Sequence, residues 1–244
     1  AFPVVVLTAL TVWQALGLRA LASIGGEQPL VIEVTGYQYW WDVVYDPDGL
    51  AIRDANELVL PRGVPVRLRL RSADVIHSFW LPSISPKRDM IPGRVNTLDV
   101  QADRLGRVRG QCAEFCGLSH PLMAFEAIVV EPRRFTAFLE DLAAPVDDPQ
   151  RPLAADGQAV FVQSGCAACH EVRGVAEGGR LGPDLSRIGG RATIGAGMWP
   201  NNTGHLAGWI ANVRDMKPGA NMPSYNTLSG PELRAVTHWL GSLE

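Results

Sequence analysis

The first eighteen residues contain no Asp, Glu, Lys, Arg or His, and the first charge is Arg19. That absence leaves AFPVVVLTALTVWQALGLRALA uncharged as far as Arg19, as a membrane span requires. Some 21 helical residues rise about 31 Å, the thickness of a bilayer's hydrocarbon core, so residues 1–24 are read as a transmembrane helix. A buried core helix is one alternative; a secretory signal peptide is the other, but its basic n-region is missing. With no initial methionine and no polar flank before the apolar run, processing or a preceding segment is expected. Basic residues are few as well. The 22 Lys and Arg face 25 Asp and Glu for a formal net charge of −3, without the basic stripe that a phosphate backbone requires, so nucleic acid is excluded as a partner. Cysteine is limited to four residues in two close pairs, Cys112 with Cys116 and Cys166 with Cys169. Such spacing excludes a framework of long-loop disulfides, and a histidine near each pair points to cofactor attachment. No nucleophile with a partnered base stands out, so no catalytic residue is assigned.

What is present falls into blocks. After SIGGEQP the pattern turns to short runs, LVIEVTGYQYWWDVVY, ELVLP, VPVRLRLRS, DVIHSFWLP, RVNTLDVQA and AFEAIVVEP. Val64, Val66, Leu68 and Leu70 alternate with Pro65, Arg67, Arg69 and Arg71, the period of a half-buried strand. Turn residues at Pro47 to Gly49, Arg62-Gly63 and Pro92-Gly93 separate the runs. Residues 28–142 are therefore expected to form an antiparallel sandwich or Greek-key barrel, closed by a short helix near Arg133 to Leu142. Read as one strand, the aromatic run puts Tyr37, Tyr39, Trp41 and Tyr45 on one face and Trp40 on the other, usually a sign of core packing. AAPVDDPQRPLAADG reads as a linker, residues 143–156, spanning about 20 Å if flexible. Residues 157–244 carry helical periodicity, and Ser229, Pro231 and Glu232 mark the start of the last helix.

The stretch CAEFCGLSHPLM, residues 112–123, brings together thiols, an imidazole and a thioether, a donor set suited to copper. Cys, Cys and His within nine residues also suit a structural zinc site. Met123, a poor zinc ligand, favours copper, as do the lack of a second Cys-x-x-Cys knuckle and the presence of His77 on an upstream strand. One cysteine would make a mononuclear blue-copper site. Two thiolates can bridge two ions, each taking one histidine, with Met123 and a loop carbonyl completing the pair.

GYQYWWDVVY, DVIHSFWLPS, KRDMIPGRVN and CAEFCGLSHPLM, in that order behind an apolar helix, resemble subunit II of cytochrome c oxidases. Most of residues 1–142 are covered. The resemblance implies a cupredoxin domain with a dinuclear copper centre, CuA, held by His77, Cys112, Cys116, His120, Met123 and the Glu114 carbonyl. It further implies that the Glu114 side chain holds a magnesium ion at the contact with subunit I, and that Asp89 faces the same contact. Where mitochondrial-type relatives have a tryptophan that accepts electrons, this chain has Tyr39, so electrons are expected to enter through Tyr39, the adjacent Trp40 or another route.

CAACH, residues 166–170, is the attachment motif of a c-type haem: Cys166 and Cys169 add to the vinyl groups and His170 becomes the proximal iron ligand. Met222, in the loop PGANMPSY, is the expected distal ligand, ahead of its rivals Met198 and Met216. Pro183 resembles the residue whose carbonyl orients the proximal histidine. Gly157 and Phe161, facing Trp239 and Leu240, resemble the terminal helix crossing of class I cytochromes c. His205 and His238 read as helix surface.

A membrane helix, an all-β cupredoxin domain and an all-α cytochrome c domain on one chain resemble the caa-type haem-copper oxidases. The implied function is electron transfer from an external donor, a cytochrome c or a quinol-oxidising complex, through haem c and CuA to subunit I, which reduces oxygen and pumps protons. The implied location is a bacterial cytoplasmic membrane with both soluble domains on the periplasmic face. A copper and haem sensor or metallochaperone, and a CuA-bearing denitrification reductase, are the rival readings.

Overall fold

A computed structural model describes residues 2–22, 29–46 and 48–244. Helix α1 (Phe2–Ala22) is one uninterrupted apolar helix, exposed wherever its side chains are described. It is long and apolar enough to cross a membrane.

Ten strands follow: β1 (Leu30–Tyr37), β2 (Trp40–Tyr45), β3 (Ile52–Ala55), β4 (Glu57–Pro61), β5 (Val66–Ser72), β6 (His77–Trp80), β7 (Arg88–Met90), β8 (Asn96–Val100), β9 (Gly106–Cys112) and β10 (Ala124–Val130). They form two five-stranded sheets, ordered β3-β2-β1-β5-β8 and β4-β10-β9-β6-β7. The sandwich expected from the short runs is present, but it is mixed: β1 with β5, and β4 with β10, pair in parallel. In β5 the alternation holds as expected, with Val66, Leu68 and Leu70 buried and the arginines between them only partly covered. Those arginines pair across the sheet surface, Arg67 with Asp99 and Arg71 with Glu33, which keeps the polar face solvated without leaving like charges adjacent. Between the sheets Trp41, Phe79 and Phe125 meet in a buried aromatic cluster, with Phe79 stacked on Phe125 at 4.6 Å and Trp41 edge-on to Phe125 at 5.2 Å.

The aromatic run is a hairpin rather than one strand. The chain reverses at Gln38-Tyr39, and Tyr37 pairs in register with Trp40. Their rings stack at 4.5 Å, while Trp41, Val43 and Tyr45 point into the core. The reversal carries no glycine or proline, so the sequence offers no turn signal there.

Helix α2 (Pro132–Ala143) closes the sandwich, and the stretch read as a linker is partly structured, since α3 (Pro152–Gln163) begins inside it. Residues 144–151 are anchored as well: the Val146 amide donates to the Arg173 carbonyl and the Val146 side chain packs on the helical core. Two short strands, β11 (Thr193–Ile194) and β12 (Trp199–Pro200), precede α4 (Thr203–Met216) and α5 (Gly230–Leu240). The start of α5 is the expected capping box, with the Ser229 hydroxyl bound by the Glu232 amide and the Glu232 carboxylate by the Ser229 amide. Helix α3 crosses α5 at Gly157, and Phe161 meets Trp239 at 5.1 Å.

The helical domain is docked on the sandwich through buried polar contacts. Arg191 pairs with Asp54 at 2.6 Å, their side chains only 3% and 1% exposed. Arg53 reaches Glu171 at 3.3 Å, and Arg109 donates to the Gly197 carbonyl at 2.7 Å. Backbone joins backbone where the Ala124 amide donates to the Ala196 carbonyl. A buried ion pair adds little net stability while intact, but removing one partner strands the other charge. Asp54→Ala is therefore expected to lower unfolding stability by about 3–5 kcal/mol, read by denaturant titration, and to expose residues 144–151 to limited proteolysis.

Candidate copper and haem sites

The adjacent ends of β6, β9 and β10 assemble the first site. Phe79 of β6 lies opposite Cys112 of β9, which sets His77 beside the cysteine although 35 residues separate them. The loop from Cys112 to Met123 is held closed by its own backbone: the Cys112 amide donates to the Met123 carbonyl and the Ala113 amide to the Ser78 carbonyl, each at 2.9 Å. Within it the two cysteine Sγ atoms lie 3.9 Å apart. His77 Nδ1 is 3.8 Å from Cys112 Sγ, and His120 Nδ1 is 3.6 Å from Cys116 Sγ. Met123 Sδ lies 3.8 Å from Cys116 Sγ, and the Glu114 carbonyl oxygen 3.3 Å from Cys112 Sγ. All six expected donors thus converge, and each sulfur has its own imidazole. His77, both cysteines and Met123 are buried. A donor set of two thiols, two imidazoles, a thioether and a carbonyl, largely closed to water, fits a pair of copper ions.

The two thiols share one proton's worth of environment. Cys112 is pulled down to about 3, chiefly by Cys116 beside it and, against burial, by His77 and backbone amides. Cys116 is pushed up by its hydrogen bond with Cys112 and by burial, and further because a second thiolate would sit against the first. A cation between them removes that conflict, which is the electrostatic reason for such a pair to hold metal.

Asp74 is a site residue that the sequence reading missed. Its Oδ1 lies 2.8 Å from His77 Nε2, and it also accepts the Gln38 amide at 2.7 Å and the Val75 amide at 2.7 Å. Burial opposes its ionisation, yet these hydrogen bonds hold its carboxyl below the usual value. In turn His77 is raised despite burial, by Asp74 and Cys112. Asp74 therefore fixes the ring that presents Nδ1 to the sulfurs and ties it to the Gln38-Tyr39 turn. Its only sequence signal was an acidic residue three before His77. Asp74→Ala is expected to weaken metal affinity by about 10–100-fold, measured by competition with a chelator.

The second site is a cavity of about 360 Å³ lined by Cys166, Cys169, His170 and Met222 together with Tyr39 and Trp40 of the sandwich. Gly165, at φ 79°, ends α3 and starts the short helical turn Cys166–Ala168, from whose first carbonyl the His170 amide hangs at 3.0 Å. His170 Nδ1 lies 2.8 Å from the Pro183 carbonyl, as expected. Gly182 packs so closely on the His170 ring that a Cβ there would stand 2.5 Å from Cε1. Burial lowers the His170 pKa, so the neutral ring donates from Nδ1 and keeps the Nε2 lone pair free. Neither Met198 nor Met216 lines the cavity; Met198 Sδ instead receives Arg109 Nη2 at 3.4 Å. Two thiols, one oriented imidazole and one thioether around an apolar cavity fit a covalently attached haem. His205 and His238 lie outside it.

Two family models match the chain: "Cytochrome C oxidase subunit II, periplasmic domain" over residues 46–132 and "Cytochrome c" over residues 154–244. The chain therefore carries a cytochrome c oxidase subunit II periplasmic domain followed by a cytochrome c domain. Among relatives, cytochrome c oxidase subunit 2 of Alkalihalophilus pseudofirmus is 36% identical over 90% of this chain and 63% of its own length. That of Bacillus subtilis is 30% identical over 89% of this chain and 63% of its own. The chain thus spans just under two thirds of the length of these two relatives. The periplasmic domain of subunit II of Bradyrhizobium japonicum cytochrome oxidase is similar at 33% identity, covering 48% of this chain and 94% of that one with a TM-score of 0.45.

In this chain the two sites share a wall. Gln38 Nε2 donates to the Cys116 carbonyl at 2.5 Å, and the next residue, Tyr39, lines the cavity of His170 and Met222. The Tyr39 hydroxyl packs against Gly117 of the copper loop, a residue at φ 129° where a side chain would collide with it, and against Gly219 of the Met222 loop. Trp40 lines the cavity but is stacked on Tyr37. Glu114 is half-buried, whereas Asp89 is exposed and accepts the Ser78 hydroxyl at 2.8 Å.

Proposed function

We propose that this chain is the subunit through which electrons enter a membrane-bound haem-copper terminal oxidase. The observation that carries it is the Gln38-Tyr39 turn, which touches the copper loop at Cys116 and Gly117 and forms part of the cavity holding His170 and Met222. An external donor, a cytochrome c or a quinol-oxidising complex, supplies single electrons to the cytochrome domain. They leave through the copper loop to subunit I, where oxygen is reduced to water with proton pumping.

Haem c and the copper pair, when bound, each supply a one-electron store at high potential. The chain's own residues do the rest. Cys166 and Cys169 attach the haem, and His170 and Met222 hold its iron. His77, Cys112, Cys116, His120, Met123 and the Glu114 carbonyl hold copper. Burial of His77, both copper-loop cysteines and Met123 excludes water, so little solvent must reorganise when charge moves. Tyr39 is the bridge, and Trp40, turned onto Tyr37, is the second aromatic beside it.

Helix α1 anchors the chain in a bacterial cytoplasmic membrane with both domains on the periplasmic face. The side chain of Glu114 is assigned to a magnesium ion at the subunit I contact, and exposed Asp89 to the same surface. Docking of the cytochrome domain by Arg191, Arg53 and Arg109 replaces search by a soluble carrier at this step.

Electron paramagnetic resonance and metal analysis of the loaded chain test this reading. A mixed-valence copper-pair signal with two coppers per haem iron is expected. A mononuclear copper signal, or zinc in place of copper, contradicts it.

A further inference from the structure

The chain contains two lysines, Lys87 and Lys217, and one of them is buried at the junction of the two sites. Lys217 ends α4 as its C-cap residue and is 3% exposed. Its Nζ donates to the Tyr39 carbonyl at 2.7 Å and to the Gly195 carbonyl at 2.8 Å, and lies 6.0 Å over the Trp209 ring. Among the described residues no carboxylate pairs with it. The next residue, Pro218, accepts the Ser119 hydroxyl of the copper loop at 2.6 Å, and Met222 follows four residues later. Lys217 also lines the cavity of His170 and Met222.

Burial of an unpaired cation is costly, so an ordinary packing role would be served better by leucine or methionine. Arginine, with its planar fork of five donors, suits a carboxylate rather than two separate carbonyls; the compact amine of lysine suits them. Burial lowers the Lys217 pKa to about 7, and the neutral amine still keeps two N–H groups for its two carbonyls.

We propose that Lys217 is a positioning residue for electron passage between the two sites: it latches the loop bearing Met222 onto the Tyr39 turn. This role rests on the function proposed above. The latch holds Tyr39 between Gly117 and Gly219.

The test uses the loaded full chain with Lys217→Met, close in length but without a donor, and Lys217→Gln, which keeps one amide donor for the Tyr39 carbonyl. With both centres intact by absorption and paramagnetic resonance, Lys217→Met is expected to slow haem-to-copper transfer about tenfold, with Lys217→Gln in between. Hydrogen exchange of the amides from 217 to 223 is expected to quicken. A transfer rate within about twofold of wild type in both variants overturns the role of Lys217. A wild-type chain without intramolecular transfer overturns the proposed function instead.

Discussion

Met222→Ala is expected to abolish the low-spin spectrum of a His/Met haem and to lower its potential, leaving the copper signal in place. Three positions compete for the distal role, and the structure separates them. Met222 lines the same cavity as the oriented imidazole of His170. Met198 is engaged by Arg109 of the sandwich, and Met216 does not line the cavity. Met198→Ala and Met216→Ala should therefore leave the spectrum unchanged. The potential falls because a thioether favours ferrous iron, and its loss leaves water or an empty position. Optical spectra and redox titration of the three variants decide the assignment. A Met222→Ala spectrum identical to wild type would sink it. Half-buried Met222 sits in a loop before α5 rather than in the helical core, so the fold should survive the change.

The second large effect is at Cys116, a sulfur with three donor neighbours in the copper loop. Its Sγ lies within 3.9 Å of Cys112 Sγ, His120 Nδ1 and Met123 Sδ. Cys116→Ser replaces a soft bridging donor by a hard hydroxyl, and His120 and Met123 lose the sulfur that groups them with Cys112. One thiolate with His77 and weaker donors can hold a single ion. The expected result is loss of the mixed-valence signal, with one copper or none per chain and the haem spectrum unchanged. Retention of two coppers with a mixed-valence signal would show that Cys116 is not a bridge. Serine is nearly isosteric and the loop is closed by its own backbone bonds, so gross unfolding is not expected to confuse the result.

How far the sequence alone reaches follows from the range of each interaction. CAACH, and the donors from Cys112 to Met123, lie within one loop each, so spacing reveals them. The capping box of α5 and the alternation of β5 are local as well, and both are present. His77 could be offered only as a histidine on an upstream strand able to lie alongside, and it is β6–β9 pairing that sets it beside Cys112. Asp74 was missed because a single acidic residue near a histidine carries no periodic signal. The hairpin at Gln38-Tyr39 was hidden by the lack of turn residues, and it rearranges the aromatic run that had been read as one strand. Domain docking lay furthest out of reach. Asp54 and Arg191 are 137 residues apart, and Lys217 and Tyr39 are 178 apart. Nothing in either local pattern says that these charges are buried against the other domain. The stretch expected to act as a loose tether is accordingly tied down at Val146 and helical from Pro152.

Rapid mixing of the reduced, loaded chain with an oxidant selective for the copper site tests the central claim most directly. Haem oxidation should follow copper oxidation with a first-order rate that stays constant as protein concentration is raised over a wide range, because both sites share the Tyr39 wall of one molecule. A rate proportional to protein concentration would mean that the electron passes between chains, and the account of a built-in relay would be wrong.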